Sequence, residues 1–343
     1  MKRWKTLLPL LVIFSLNLLL LWGIESHYFW RQLTYWLLGW GLFFLVVRLN
    51  FSLENLANFF PGWYILGIVL LLLPLIFGSL TRGSSRWLFI KQQSFQPSEI
   101  AKPILIIFWA SFLSRLKMKK TTNLLKVFVS VLIPVTLLLL QPSLGTAIVF
   151  VFSAGAMILF SKANKKRLFL ILLLILPLVL LSGHFFLADY QKARVQNFLH
   201  PKADPLGGGY NLAQAIVAFG SGRFFGRGLG LGSQTRLFFL PERHTDFIFA
   251  TLGESFGFFG AFLLLTSYAS LFAFLWRQAA KEKGEFVCLL KVGLISSLWF
   301  QVVVNIGMNL GLMPVTGLPL PFFSYGGSSL LTSLISLGLI IKA

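Results

Sequence analysis

Charge is what this chain has least of. Only 12% of its 343 residues are Asp, Glu, Lys or Arg, against 57% hydrophobic, and no soluble domain of this length needs so little charge. The composition therefore reads as an integral membrane protein. Cysteine is nearly absent, and the lone Cys288 excludes an intramolecular disulfide and any Cys-rich metal site. No G-x-x-x-x-G-K-[ST] occurs, which argues against ATP as an energy source. Gly226-x-Gly228-x-Gly230 hints at a dinucleotide loop, but no strand–turn–helix unit surrounds it and the hint is set aside. Internal repeats, low-complexity tracts and soluble domains are lacking too, so 1–343 reads as one polytopic membrane domain.

Basic residues are what the chain has in excess. A net charge of +20 would suit a nucleic-acid binder. Here the Lys and Arg residues sit in short clusters between apolar runs, the positive-inside pattern of membrane proteins, so no nucleic-acid partner is expected. About 20 apolar residues cross the hydrocarbon. Spans are expected at 7–24, 32–48, 63–79, 99–115, 124–141, 143–160, 168–187, 247–276, 286–307 and 327–342. The resulting fold class is an all-α integral membrane protein with ten transmembrane helices and one large extracytoplasmic loop, 188–246. The basic clusters at 2–5, 115–126, 162–167 and 277–291 then share one side, which is cytoplasmic, with both termini. Met1 to Trp22 resembles a signal peptide, but no small-residue cleavage site follows, so an uncleaved first helix is expected. The 247–276 run exceeds one span, so tilt, extension or a kink at Gly257 or Gly260 is expected.

Three long connections face the other side, 80–98, 188–246 and 308–326. Loops of such length are rare unless functional. Within the largest, residues 211–219 suit a short interfacial helix, and the glycines from Gly220 to Gly232 imply turns and close backbone approach. The stretch FFLPERHTDFIFATLGESFG, 238–257, concentrates the chemistry. Glu242, Arg243, His244 and Asp246 fall within five positions, and Phe247 opens the long apolar run. A carboxylate at the mouth of a membrane helix is costly, hence a functional-site candidate. Two readings of Asp246 stand: a general base, or the cap of the helix that follows. Glu254, eight residues on, lies on roughly the same helical face and deeper, implying a function or a buried partner. Glu99 and Lys102, three apart at a helix start, are placed to pair. Glu242, His244 and Asp246 could also hold a divalent cation such as Mg or Mn; no cofactor is otherwise implied.

Five stretches carry a family resemblance: RWLFI…FQPSEIAK at 86–102, QPSLGTA at 141–147, GYNLAQAIVAFGSGRFFGRGLGLGSQ at 209–234, LPERHTDFIFATLGESFG at 240–257 and GLMPVTGLPLPFFSYGGSSLL at 311–331. Together and in order they resemble the SEDS family, the shape, elongation, division and sporulation proteins that include RodA, FtsW and SpoVE. GYN followed by GSQ, and MNLGLMPVTGLPLP, lean towards RodA. The resemblance implies a ten-helix peptidoglycan glycosyltransferase of the bacterial cytoplasmic membrane, polymerising lipid II on its outer leaflet for cell elongation or division. It also implies a partner, a class B penicillin-binding protein that cross-links the new strand. Two positions depart from the family pattern, Ser143 in QPSLGTA and Ser255 after Glu254, and each loses a carboxylate.

The resemblance maps the catalytic aspartate onto Asp246. It maps substrate contacts onto Arg86, Glu99, Lys102, Arg194, Gln234, Glu242, His244, Thr245, Glu254, Ser324, Tyr325, Gly326 and Gly327. The chemistry suits that assignment. The acceptor 4-hydroxyl is a poor nucleophile and needs a base, whereas undecaprenyl diphosphate leaves without a proton and needs positive charge. Cations crowd the outer connections against the positive-inside bias, Arg86 and Lys102 foremost, for a diphosphate or for anionic membrane lipids. A lipid II flippase is the rival, but transporters show inverted repeats and broken helices with polar groups near the midplane. Ser114-Arg-Leu-Lys117 matches the transpeptidase S-x-x-K, yet no S-D-N or K-T-G occurs, so cross-linking falls to the partner. Lipid-facing small residues such as Gly293 and Ser297 would let a partner helix approach closely.

Overall fold

The computed structural model describes residues 4–50, 52–81, 84–90, 93–116, 121–161, 198 and 208–343. Helices occupy every expected span except 168–187, which lies outside the described residues, as does the first part of the 188–246 loop. Among the described residues, four helices are long and apolar enough to cross a membrane, and three shorter apolar ones accompany them. The chain is a multi-pass membrane protein, and its contacts divide it into two compact units.

The first unit holds α1 (Trp4–Ile24), α2 (Ser26–Arg48), α8 (Gly208–Ser221), α9 (Ser233–Arg236), most of α10 (Ile248–Ala279), α11 (Glu285–Asn309) from residue 298, and α12 (Gly327–Lys342). Helices α2 and α12 pack closely because Gly39 leaves room for Leu334 and Gly338 for Val46. Helix α8 covers the short helix expected at 211–219.

Helix α10 has 32 residues, which as one straight helix would run about 48 Å at 1.5 Å per residue, well beyond a hydrocarbon core of about 30 Å. It breaks at Gly257, whose φ of 65° and ψ of −161° are not helical. A break at bilayer depth would orphan carbonyls on one side and N–H groups on the other. The glycine-rich segment after α8 supplies both sets of partners. Arg227 N donates to Glu254 O at 2.9 Å and Gly228 N to Ser255 O at 3.1 Å, while Phe258 N and Phe259 N donate to Arg223 O and Phe224 O at 2.9 and 3.0 Å. Gly226, at φ 86°, approaches so near that a Cβ would strike the Ser255 carbonyl.

The second unit holds α3 (Leu53–Asn58), α4 (Phe60–Phe77), α5 (Pro97–Arg115), α6 (Thr121–Leu140), α7 (Leu144–Phe160) and α11 as far as residue 297. Ser52 caps α3 by accepting from Glu54 N at 3.1 Å, and Arg115 ties down its far end through Ala57 O and Asn58 Oδ1. Helices α4 and α5 meet where Gly67 admits Leu105 and where Tyr64 and Phe108 rings lie 4.5 Å apart. The 80–98 connection is not loop alone. It contains β1 (Ser79–Thr81), β2 (Ser84–Ile90) and β3 (Gln93–Phe95) in an antiparallel sheet of order β1-β2-β3, with Leu88 opposite Phe95. Gly293 and Ser297 are not lipid-facing either. Both are buried, Gly293 against Ile106 and Met157, so they serve packing within the unit.

Candidate active site

Asp246 sits in the turn that enters α10, two residues before its first helical residue. Its backbone carbonyl accepts two side-chain amides, Asn305 Nδ2 at 3.1 Å and Asn309 Nδ2 at 3.0 Å, both from fully buried residues of α11. The Ala250 N–H, a donor that needs a cap, goes to Asn309 Oδ1 at 2.9 Å. Capping at that donor is thus supplied by α11.

The residues around Asp246 are held from several directions. Ser324 Oγ donates to Thr245 O at 2.7 Å, Tyr325 N to His244 O at 2.9 Å, and Thr251 Oγ1 to Arg243 O at 2.9 Å. Thr245 Oγ1 donates to Glu242 Oε2 at 2.9 Å. The His244 ring stacks on Tyr28 at 4.3 Å, and Tyr325 meets both rings edge-on. Burial pushes the Tyr28 and Tyr325 hydroxyls above their ordinary value; Glu25 adds to the effect at Tyr28, and Arg31 partly offsets it at Tyr325. Arg243 is buried, with its guanidinium on Glu25 Oε1 at 2.9 Å, on Thr235 O, and over the Phe238 ring at 3.9 Å. Beneath the 323–326 turn, Asn17 donates to Phe323 O and Gln32 to Ser324 O, while Gly326 N donates to Gln32 Oε1. Gly327 opens α12 against the Tyr35 ring, where a Cβ would come within 2.9 Å.

Glu254 is engaged by the segment that carries Gln234. Fully buried, it accepts from Gln234 N at 2.8 Å, Thr235 N at 2.9 Å and Thr235 Oγ1, and so caps α9. Its depth in the apolar run has a structural reason: it fixes the segment that carries Gln234. Gln234 Oε1 is buried without a partner among the described residues.

Arg86, Glu99 and Lys102 belong to the second unit. Lys102 Nζ and Glu99 Oε2 form a buried ion pair at 2.8 Å in the first turns of α5, as their spacing implies. Glu99 Oε1 has no partner among the described residues. Burying an ion pair is tolerable only when the remaining polar atoms are satisfied, so the open oxygen suits a ligand. Arg86 lies half-buried on β2. Arg194 falls outside the described residues. Ser143, where the family pattern has an acid, hydrogen-bonds Thr146 Oγ1 at 3.0 Å within the first turn of α7. Among the described residues, no group of three His, Cys, Asp or Glu gathers to hold a metal ion. The sequence reading omitted Asn305, Asn309, Tyr28, Asn17 and Gln32; polar side chains inside apolar runs were the available signal.

The cell cycle protein family that groups FtsW, RodA and SpoVE matches the chain over residues 3–343. The chain belongs to this family. Among curated members, a probable peptidoglycan glycosyltransferase FtsW of Thiomicrospira cyclica is 38% identical over 332 residues, covering 93% of this chain and 83% of that protein. The peptidoglycan glycosyltransferase MrdB of Escherichia coli is also 38% identical, over 308 residues, covering 88% of this chain and 82% of that one. Among solved structures, a chain from a peptidoglycan synthase complex that coordinates polymerization and crosslinking is 32% identical, with a TM-score of 0.86, covering 99% of this chain and 96% of its own. Thermus thermophilus RodA is 30% identical at a TM-score of 0.73, covering 99% and 95%. As a FtsW/RodA/SpoVE protein, the chain is like members bearing both division and shape names.

Proposed function

We propose that this chain is a peptidoglycan glycosyltransferase that polymerises lipid II at the outer face of the bacterial cytoplasmic membrane, with Asp246 as general base. The observation that carries the reading is the mounting of Asp246. Two buried amides grip its backbone at the mouth of α10, in a protein whose curated relatives are named peptidoglycan glycosyltransferases. The acceptor 4-hydroxyl oxygen attacks the anomeric carbon of the donor muramic sugar as its proton passes to the Asp246 carboxylate. The bond to undecaprenyl diphosphate breaks, the diphosphate leaves with the electron pair, and the single displacement inverts the anomeric centre. The family resemblance assigns Arg86 and Lys102 to substrate, as the positive charge that a departing diphosphate requires. Glu242, His244, Thr245, Ser324, Tyr325, Gly326 and Gly327 shape the sugar side, and Gln234 offers its open oxygen.

In this proposal residues 188–246 form an extracytoplasmic loop within one polytopic domain of ten spans, with both termini cytoplasmic. A class B penicillin-binding protein is the partner that cross-links the product, since the chain carries no transpeptidase motif set. The test is purified protein with lipid II, read as glycan polymer. Asp246→Asn is expected to keep the fold and lipid II binding and to lose about 100-fold or more in rate. Polymerisation by the variant at the wild-type rate would place the base elsewhere.

A further inference from the structure

The carboxamide of Asn309 stands between two groups that the first turn of a regular helix would join directly. In an α-helix the N–H of residue 250 donates to the carbonyl of residue 246. Here Ala250 N donates to Asn309 Oδ1 at 2.9 Å, and Asp246 O accepts from Asn309 Nδ2 at 3.0 Å. A side-chain amide has the same acceptor and donor as a peptide group, so it satisfies both ends of the interrupted bond. Asn305, one turn earlier on the same face of α11, adds a second donor to that carbonyl at 3.1 Å. Asn305 is itself fixed by donating to Leu318 O at 2.7 Å, and Asn309 by donating to Asn305 O at 2.8 Å. Both asparagines are fully buried in an apolar helix, where an amide is expensive unless every polar atom is used.

We propose that Asn309, supported by Asn305, is a positioning residue for the glycosyl transfer: its carboxamide is inserted into the first turn of α10 and holds Asp246 out of the helix, at the place where its carboxylate meets the acceptor hydroxyl. The inference rests on the reading of Asp246 as the base. Without the insertion, Ala250 N and Asp246 O can bond directly, which draws Asp246 into the turn and rotates its side chain. A displacement of about 1 Å at a reacting group costs on the order of 100-fold in rate.

The test uses the full-length chain, with lipid II titrations, melting temperatures and double variants. Asn309→Leu removes the amide with similar volume and lets the turn close. Asn309→Asp keeps the acceptor for Ala250 N but cannot donate to Asp246 O, and it covers the case in which the leucine variant fails to fold. Either is expected to lower kcat about 10- to 100-fold with KM for lipid II unchanged within about twofold; the leucine variant should melt near wild type, and the aspartate variant lower, since its buried acid oxygen faces two carbonyls. In an Asp246→Asn background, the same changes are expected to cost no more than about twofold of the residual rate, because there is no base left to position. If they cut the residual rate as deeply as in the wild type, or raise KM alone, the positioning role is wrong. If Asp246→Asn itself polymerises normally, the base assignment fails instead, and the two failures are told apart by that single variant.

Discussion

Replacing Gly257 by alanine probes how the loop and the broken helix hold each other. Its φ of 65° and ψ of −161° lie in a region open essentially to glycine alone, so a Cβ adds strain of about 1–3 kcal/mol. The same Cβ would lie 2.5 Å from the Phe224 carbonyl oxygen and against Gly226 N. Relief requires the segment 223–226 to retreat, which gives up the bonds from Phe258 N to Arg223 O and from Phe259 N to Phe224 O. At about 1 kcal/mol each these add roughly 2 kcal/mol, for a total of about 3–5 kcal/mol. Taking roughly 2 °C per kcal/mol for a large domain, the melting temperature should fall by about 5–10 °C. Polymerisation should fall with it, because the 223–226 segment runs on through the glycine turns to α9, which carries Gln234. The assay pairs thermal melting by tryptophan fluorescence in detergent with glycan synthesis from lipid II. Gly155→Ala is the control: it lies in α7 with nothing within 4 Å of the added Cβ, and should be neutral or up to about 1 kcal/mol stabilising. A Gly257→Ala protein that melts and polymerises like the wild type would refute the account of the break.

Three further outcomes follow from the same geometry. Glu254→Gln turns one acceptor towards the N–H groups of Gln234 and Thr235, so it should cost about 1–3 kcal/mol and lower the melting temperature, whereas Asp246→Asn should not; equal melting would remove Glu254 as the cap of α9. Glu25→Gln and Tyr28→Leu loosen Arg243 and His244, which are adjacent, so each should lower kcat/KM several-fold and the pair should lose less than the product of the two; strictly multiplicative losses would show that they act separately. Burial raises the Glu282 carboxyl, but hydrogen bonding and charge from Lys291 outweigh it and hold the group below its ordinary value of 4.5. The pair therefore stabilises fully above pH 4.5, and that part is lost as pH falls from there through the lower folded value. Lys291→Met should flatten the acid limb of melting temperature against pH, and an unchanged limb would exclude the pair as its source.

Apolar length alone was enough to place nine of the expected spans among the described residues, because a bilayer fixes how long a spanning segment must be. The break in α10 was legible as well: a run too long for one span contained Gly257, and only glycine tolerates the backbone found there. Asp246 stood out as a carboxylate at a helix mouth for the same reason. The insertion of Asn309 was not legible, since it depends on α11 meeting residues 59 and 63 positions away in sequence. All the sequence offered was two asparagines, four apart, in an apolar run. Glu254 showed its cost through depth but not its purpose, because its partners are backbone groups of another segment. The Arg-Trp-Leu-Phe-Ile run of β2 carried a strand signal that its place between two spans concealed. Gly293 and Ser297 show the opposite hazard: small residues admit close neighbours, and composition does not say whether the neighbour is a partner or the chain itself.

Asn17 donates to the carbonyl of Phe323, a residue 306 positions later. Synthesis runs from the amino end, and a bond of that separation has no second half until residue 323 has left the ribosome. Until then the Asn17 amide nitrogen lacks this acceptor inside an apolar helix, while Gln32 Nε2 meets Asn17 Oδ1 at 3.3 Å. The turn they secure is the one whose Ser324 and Tyr325 hold Thr245 and His244. A chain truncated before residue 323 should accordingly lack both these acceptors for Asn17 and Gln32 and the ties that hold Thr245 and His244. Ordering of the turn beside Asp246 therefore waits on the 323–326 segment, however early the preceding helices are inserted.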